Sequence, residues 1–325
     1  MKFYKNTHII FFLLFTALVG CSNNQHTMIS GNAFGTVYFI TLDDNKYDIS
    51  NIKSNINNII DFIDIAASNY NSNSEISKFN ASHSTNNYLI SSNLYNIISK
   101  ANEVSDLTNG YFDISIGNIN IAKGFNSNLN IKLDKSRNYN YKDIILSKNN
   151  LIKKKYYPMN LDLSGIAKGY AVDLIYDYLF SLGIKNFLIN IGGEIKSYNE
   201  SEPIIIGIDD PSNATQFIEE VTIQNKAIAS SGTYIDTIEY NGEQISHIVN
   251  PKSSDNLKNL NLLVTVVHDE CSIADALATG LIAMPLNDII TFANKNKLAV
   301  LLAIKNNNSI EKYYSEEFRK YLYAE

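Results

Sequence analysis

The sequence predicts an α+β fold, and three observations carry that expectation. Of its 325 residues, 45% are hydrophobic and 18% charged, which is enough apolar side chain for one large globular domain. Segments with the two-residue period of a strand occur beside segments with the period of a helix. The two kinds are mixed without the regular alternation of a doubly wound parallel sheet, and past the N-terminus no repeat, Gly/Ser linker or charge block marks a domain boundary.

The N-terminus reads as an address. Residues 1–20 carry Lys2 and Lys5, then the apolar run IIFFLLFTALVG, the pattern of a secretory signal peptide. LVGC at 18–21 resembles the lipobox of bacterial lipoproteins, in which the Cys is acylated and becomes the mature N-terminus. Several acyl chains on Cys21 would anchor the chain stably, where one chain alone binds only marginally. The expected organisation is a signal peptide over 1–20, a polar tether over 21–30 and one domain over 31–325, exported and membrane-anchored. No other 20-residue span is apolar enough to cross a membrane.

Along the domain, GTVYFITL (35–42) alternates like a strand. Ile52, Ile56, Ile59, Ile60, Ile63 and Ala66 form a helical stripe over 50–66, and Leu94, Ile97, Ile98, Ala101 and Val104 form another. NLDLS reads as a short strand before a glycine, and IAKGYAVDLIYDYLFSLG as a helix stopping at Gly183. FLINIGGEI, IIIGI, HIVNP and LLVTVV are strand-like. SIADALATGLIAM is a helix with Ser272 as its expected N-cap, and LAVLLAI a late strand.

The charge balance excludes one class of partner. With 27 basic and 33 acidic residues the net charge is −6, so no polyanion-binding surface is indicated and nucleic acid is not an expected partner. The 45 Asn residues, with Lys strongly favoured over Arg, read as coding bias. Beyond Cys21 only Cys271 remains, so no intramolecular disulfide forms within the domain, and Cys271 reads as a small buried apolar residue. The scattered histidines lack zinc-ligand spacing.

No dinucleotide fingerprint, Walker loop or nucleophile elbow is present. What remains are small-residue clusters bearing a carboxylate or hydroxyl. In DLSGIAKGYAVD (162–173) a strand end runs into a helix, leaving backbone groups free for a phosphate or metal, with Asp162 before the junction and Lys168 inside it. Close packing by Gly165 and Gly169, with Lys168 a solvated charge, accounts for the same residues. In ADALATG (274–280), Asp275 and Thr279 share a helix face one turn apart, a hard-oxygen pair suited to Mg²⁺. A hydroxyl bonded back to its own helix beside a first-turn carboxylate is the alternative. SNYNSNSEISKFN (68–80), NGYFDISIG (109–117) and ISHIVNP (245–251) are each weaker signals.

Taken together and in order, from about Gly31 to Leu302, these segments resemble the FAD:protein FMN transferases (ApbE-type flavin transferases, long labelled thiamine biosynthesis lipoproteins). The family's Met-Gly-Thr, S-x-Y…SEISRFN, G-x-F-D, G-I-A-K-G-Y-A-V-D, N-I-G-G-E/D, S-G-x-Y, H-I-I-D-P and A-D-A-L-A-T motifs all have counterparts. The resemblance implies a T-fold-like α+β architecture and transfer of FMN from FAD to a threonine hydroxyl of a partner protein, such as an exported or membrane-bound redox subunit, with release of AMP. It implies Mg²⁺ ligation by Asp275, Thr279 and the Gly165 carbonyl. It further implies FAD contacts at Phe34, Tyr70, Tyr111, Phe112, Asp113, Asp162, Lys168 and the backbone near Val249, and His247 as the group that deprotonates the acceptor.

Departures from the family pattern fall at Phe34 for Met, Asn250 for the Asp of H-I-I-D-P, and SGTY for S-G-D-Y. The Asn250 change removes a charge expected beside His247. A Mg²⁺-dependent FAD pyrophosphatase and a non-catalytic FAD-binding lipoprotein are the alternatives to transfer.

Overall fold

The computed structural model describes residues 26–43, 46–125, 139–210, 213–306 and 309–323, with backbone alone at 213–215. The expected signal peptide, Cys21 and the tether as far as residue 25 lie outside the described residues. Thr27–Ser30, expected in the tether, instead open the first strand, because Ile29 is buried against the core and pairs with Ile40.

β1 (Thr27–Ala33) and β2 (Thr36–Leu42) form a hairpin turned by Phe34 and Gly35, with φ 50° and 78°. Two successive left-handed residues give a turn whose twist suits the strands it joins. Asp48 accepts from the Asn51 amide and starts α1 (Ile49–Ala67), which buries Ile52, Ile56, Ile60 and Ile63 along one stripe. Ser74 and Ser91 cap α2 (Glu75–Ala81) and α3 (Ser92–Leu107) in the same way. β3 (Tyr88–Leu89), α4 (Gly117–Lys123), β4 (Ile144–Ser147) and β5 (Leu151–Lys154) follow, the three strands making a small sheet ordered β3-β5-β4.

α5 (Ala167–Ser181) ends before Gly183, as its sequence predicts. FLINIGGEI is a hairpin rather than one strand. β6 (Asn186–Ile191) turns at Gly192 and Gly193, with φ 63° and 106°, into β7 (Glu194–Asn199). β8 (Ile204–Asp210) and β9 (Asn213–Ile223) form a separate hairpin. After them come β10 (Ala227–Gly232), the hairpin β11 (Thr237–Tyr240) and β12 (Glu243–Ser246), and the two-residue strands β13 (Val249–Asn250) and β14 (Asp255–Asn256). HIVNP thus contributes only two strand residues. β15 (Leu262–His268), α6 (Cys271–Ile282), α7 (Ile289–Lys295), β16 (Ala299–Asn306) and β17 (Ser309–Tyr314) follow, and then a 3₁₀ turn over Phe318–Tyr321.

One antiparallel sheet organises all of this, in the order β1-β2-β6-β7-β10-β15-β16-β17. One face packs on α1, α5 and α6 through residues such as Tyr38, Ile40, Ile189, Val264 and Val266, with α3 packed against α1 and α6. The opposite face takes the β8–β9 hairpin, with Ile206, Ile208, Val221 and Ile223 against Ile228, Leu263 and Leu301. Successive residues of β15 therefore enter different cores, and LLVTVV reads as an unbroken apolar run because both of its faces are covered.

NLDLS is not a strand. It lies outside any sheet, and asparagine side chains take the place of a neighbouring strand. Asn80 accepts from the Leu161 amide (2.8 Å) and donates to the Leu161 carbonyl (2.9 Å), while Asn69 donates to that carbonyl and accepts from the Leu163 amide. Asn118 accepts from the Asn160 amide, and the fully buried Lys154 ammonium donates to the carbonyls of Phe79 and Asn80. Buried backbone groups demand partners, and a side-chain amide carries both a donor and an acceptor. Asparagine here is structural, whatever biased its abundance.

Candidate functional site

The site is built where α5 meets α6. Gly169 has no room for a side chain: a Cβ there would stand 2.5 Å from the Cys271 carbonyl oxygen. The helices therefore touch backbone to backbone, and the Gly169 amide donates to Asp275 Oδ2 at 3.1 Å. The packing explanation for this glycine holds, and it coexists with a site.

α6 begins at Cys271, so its N-cap is Glu270, two residues before the expected Ser272 cap, and that position supplies no side-chain bond. Asp173 of α5 does that work from outside the helix. Its Oδ1 accepts from the Cys271 amide (2.9 Å), and its Oδ2 from the Ser272 amide (2.9 Å) and hydroxyl (2.7 Å). A carboxylate at a helix N-terminus satisfies orphan amides and the positive end of the dipole together. Lys196 of β7 completes the arrangement, donating to Asp173 Oδ1 at 2.7 Å. Cys271 itself is buried, as expected, and burial pushes its thiol well above the ordinary value.

This crossing sets the Asp275–Thr279 face against the turn that precedes α5. A Cβ on Gly165 would lie 3.1 Å from Thr279 Oγ1 and 3.2 Å from the Phe112 ring, so Gly165 sits beside Thr279 with little room for a side chain between them. The Thr279 hydroxyl is 3.1 Å from that of Ser231 on β10. The side-chain alternative in which Thr279 bonds back to its own helix is thus displaced by a cross-element partner. Gly165, Asp275 and Thr279 come together.

The electrostatics of the group are unusual. Lys168 Nζ donates to Glu194 Oε1 at 2.7 Å. Glu194 is 3% exposed, and its Oε2 has no hydrogen-bond partner among the described residues. Burial pushes the Asp275 carboxyl up to about 7, with Glu194 adding to the rise and Lys168 opposing it. Two buried carboxyls thus share one ammonium, a deficit of positive charge in a desolvated place. Among the described residues no three His, Cys, Asp or Glu side chains converge as a metal centre. One carboxylate and one hydroxyl beside the Gly165 turn, with negative charge unbalanced, instead fit a hard cation that keeps water or phosphate among its ligands.

The remaining expected residues divide. Asp162 accepts from the Ser164 amide and hydroxyl and from Asn120, which fixes the turn leading to Gly165. Tyr70 is 78% exposed; local desolvation and then the carboxylates of Asp162 and Asp236 raise its pKa, which puts these three groups in one neighbourhood. His247 Nδ1 lies 3.0 Å from the Ile235 carbonyl, and its amide donates to the Asp236 carbonyl. A carbonyl only accepts, so Nδ1 carries the proton and Nε2 of the neutral ring keeps its lone pair. Tyr111 lies beneath the Lys252 ammonium, 4.7 Å from the ring centre.

Phe112 is buried against Gly165 and Gly280, so it acts as a wall of the site. Asp113 is engaged elsewhere: its oxygens accept from the Ser115 and Tyr141 amides, and burial raises its pKa. Phe34 and Val249 pack in the turn of the first hairpin and in β13. Asn250 donates to the Ala283 carbonyl and accepts from the Lys252 and Ser253 amides, so its amide serves the loop and the end of α6. An aspartate there has no proton for Ala283. Glu194, Ser231 and Asp173 went unassigned at the sequence level although each lies in a quoted motif, because their roles depend on partners 26 to 99 positions away.

A model of the ApbE family matches residues 34–302. A Vibrio cholerae protein named FAD:protein FMN transferase is 30% identical, over 94% of this chain and 96% of its own length. One of the same name from Buchnera aphidicola subsp. Schizaphis graminum is 28% identical, over 99% and 98%. The solved flavin transferase ApbE from Vibrio cholerae superposes with a TM-score of 0.79 at 27% identity, covering 92% of this chain and 99% of that one. An ApbE protein from Thermotoga maritima, 23% identical, shares the fold with a TM-score of 0.82 over 92% of this chain and 100% of its own.

Proposed function

The chain belongs to the ApbE family, and from that premise we propose that it is an FAD:protein FMN transferase. In this reading it moves FMN from FAD onto a threonine hydroxyl of an exported or membrane-bound redox protein. The observation that carries the reading is the meeting of Gly165, Asp275 and Thr279 beside the Lys168–Glu194 pair. Asp275, Thr279 and the Gly165 carbonyl would hold Mg²⁺. Bound there, the ion supplies neutralisation of pyrophosphate charge.

The chain's own groups account for the rest. Lys168, 31% exposed at its side chain, offers an ammonium to the pyrophosphate while Glu194 holds it from behind. Tyr70 presents an exposed ring on which a flavin can stack. His247 Nε2 accepts the proton of the threonine hydroxyl as its oxygen bonds to the FMN phosphorus. The bond from that phosphorus to the bridging oxygen breaks, and AMP leaves with the electron pair. A positioned base of this kind contributes roughly 10²–10⁴ in rate. The lipobox at 18–21 supports acylation of Cys21 and membrane anchoring on the extracytoplasmic side.

The full-length chain, incubated with FAD, Mg²⁺ and a threonine-containing acceptor, should yield a fluorescent acceptor band in a denaturing gel. His247→Ala should slow labelling by about a hundredfold or more without losing FAD. Free FMN with no labelled acceptor would identify a pyrophosphatase, and FAD recovered intact would identify a carrier.

A further inference from the structure

At the proposed cation site three charges meet from three elements: Asp275 on α6, Lys168 on α5 and Glu194 at the start of β7. Lys168 precedes Gly169, whose amide touches the Asp275 carboxylate. A lysine so near a buried carboxylate ordinarily closes an ion pair with it, because an unpaired buried charge is costly. Its hydrogen bond goes to Glu194 instead, at 2.7 Å. Burial works against the lysine's charge, but Glu194 first and Asp275 second outweigh it and hold the pKa above the ordinary value. Both carboxylates thus attract the same ammonium, and geometry awards it to one of them.

Glu194 has no other partner that explains it. The β6–β7 turn is made by two glycines, Glu194 is 3% exposed, and its Oε2 is buried with no hydrogen bond among the described residues. The next lysine along β7, Lys196, is already committed to Asp173. We propose that Glu194 is a positioning residue that diverts Lys168 from Asp275, leaving that carboxylate open to a divalent cation and holding the ammonium on the substrate side. The inference rests on the reading of Gly165, Asp275 and Thr279 as the cation site.

Calorimetric titration of the full-length chain with Mg²⁺ alone, without FAD, tests it. Glu194→Gln keeps the shape and removes the charge, so Lys168 should swing to Asp275 and Mg²⁺ affinity should fall about tenfold or more. Removing the competitor as well, in Glu194→Gln/Lys168→Met, should return affinity to the wild-type value. A purely structural role for Glu194 would leave the double variant as weak as the single one, and that result overturns the proposal, as does an unchanged affinity in Glu194→Gln. Should Glu194→Gln not fold, Lys168→Met alone decides: affinity equal to or above wild type is expected, and a tenfold loss overturns the idea. Wild-type affinity retained in Asp275→Asn would instead show the cation site itself to be misread, and the inference would fall with it.

Discussion

Replacing Asp173 with alanine tests how the site is held together. The carboxylate is 9% exposed and accepts four hydrogen bonds, from the Cys271 and Ser272 amides, the Ser272 hydroxyl and the Lys196 ammonium. Removing one member of a buried ion pair costs about 3–5 kcal/mol, since the survivor is left uncompensated, and Lys196 is only 7% exposed. Loss of a helix cap costs about 1–2 kcal/mol more. The two effects share one carboxylate and do not simply add, so about 4–5 kcal/mol is expected. That corresponds to a fall in melting temperature of roughly 6–8 °C for a chain of this size. Urea unfolding gives the free energy from midpoint and slope. Lys196→Met should cost clearly less, because the amides at the start of α6 still neutralise Asp173. A loss under about 1 kcal/mol for Asp173→Ala, or equal losses for the two variants, would refute the idea that α6 is anchored through this carboxylate.

Other outcomes follow from the same geometry. Gly169→Ala should destabilise the chain by about 3 kcal/mol, because its Cβ would stand 2.5 Å from a backbone oxygen that cannot yield without separating α5 and α6; denaturant midpoints of Gly169→Ala and Gly165→Ala compared side by side should show the second milder, its 3.1 Å contacts being with side chains. Asn80→Ala should cost about 2 kcal/mol in the same assay, since it strips the Leu161 amide of its partner. The chain in EDTA should be more stable at pH 5.5 than at pH 7.5. Asp275 titrates near 7 when folded against an ordinary 3.8, so the folded form holds the extra proton between those values and stability drains away as pH climbs through them. The difference is on the order of 2 kcal/mol, and a higher melting temperature at pH 7.5 would contradict the assignment.

Much of this was legible from residue order. The stripe of α1, the glycine stop of α5, the alternation of β2 and the i, i+4 pairing of Asp275 with Thr279 are local properties, set by the periods of helix and strand. Where reading failed, a distant partner had replaced a local one. NLDLS has a strand's composition, yet asparagine amides from 42 to 94 positions away satisfy its backbone, so it joins no sheet. Ser272 has a cap's chemistry, yet Asp173 reaches the helix start first and Ser272 donates to it.

The line between the two kinds of knowledge follows the range of the forces. Periodicity, capping chemistry and glycine turns act over a few residues, and from them the sequence alone determined most element types, while its ordered motifs carried the family resemblance and the candidate oxygen-bearing residues. Tertiary structure decided which charges face which partners: that Lys168 turns to Glu194 and not to Asp275, that Asp173 braces α6, and that Asp113 ties the Ser115 turn to the distant Tyr141 amide. Burial multiplies the strength of every charge and hydrogen bond it encloses, and burial exists only once distant segments have packed.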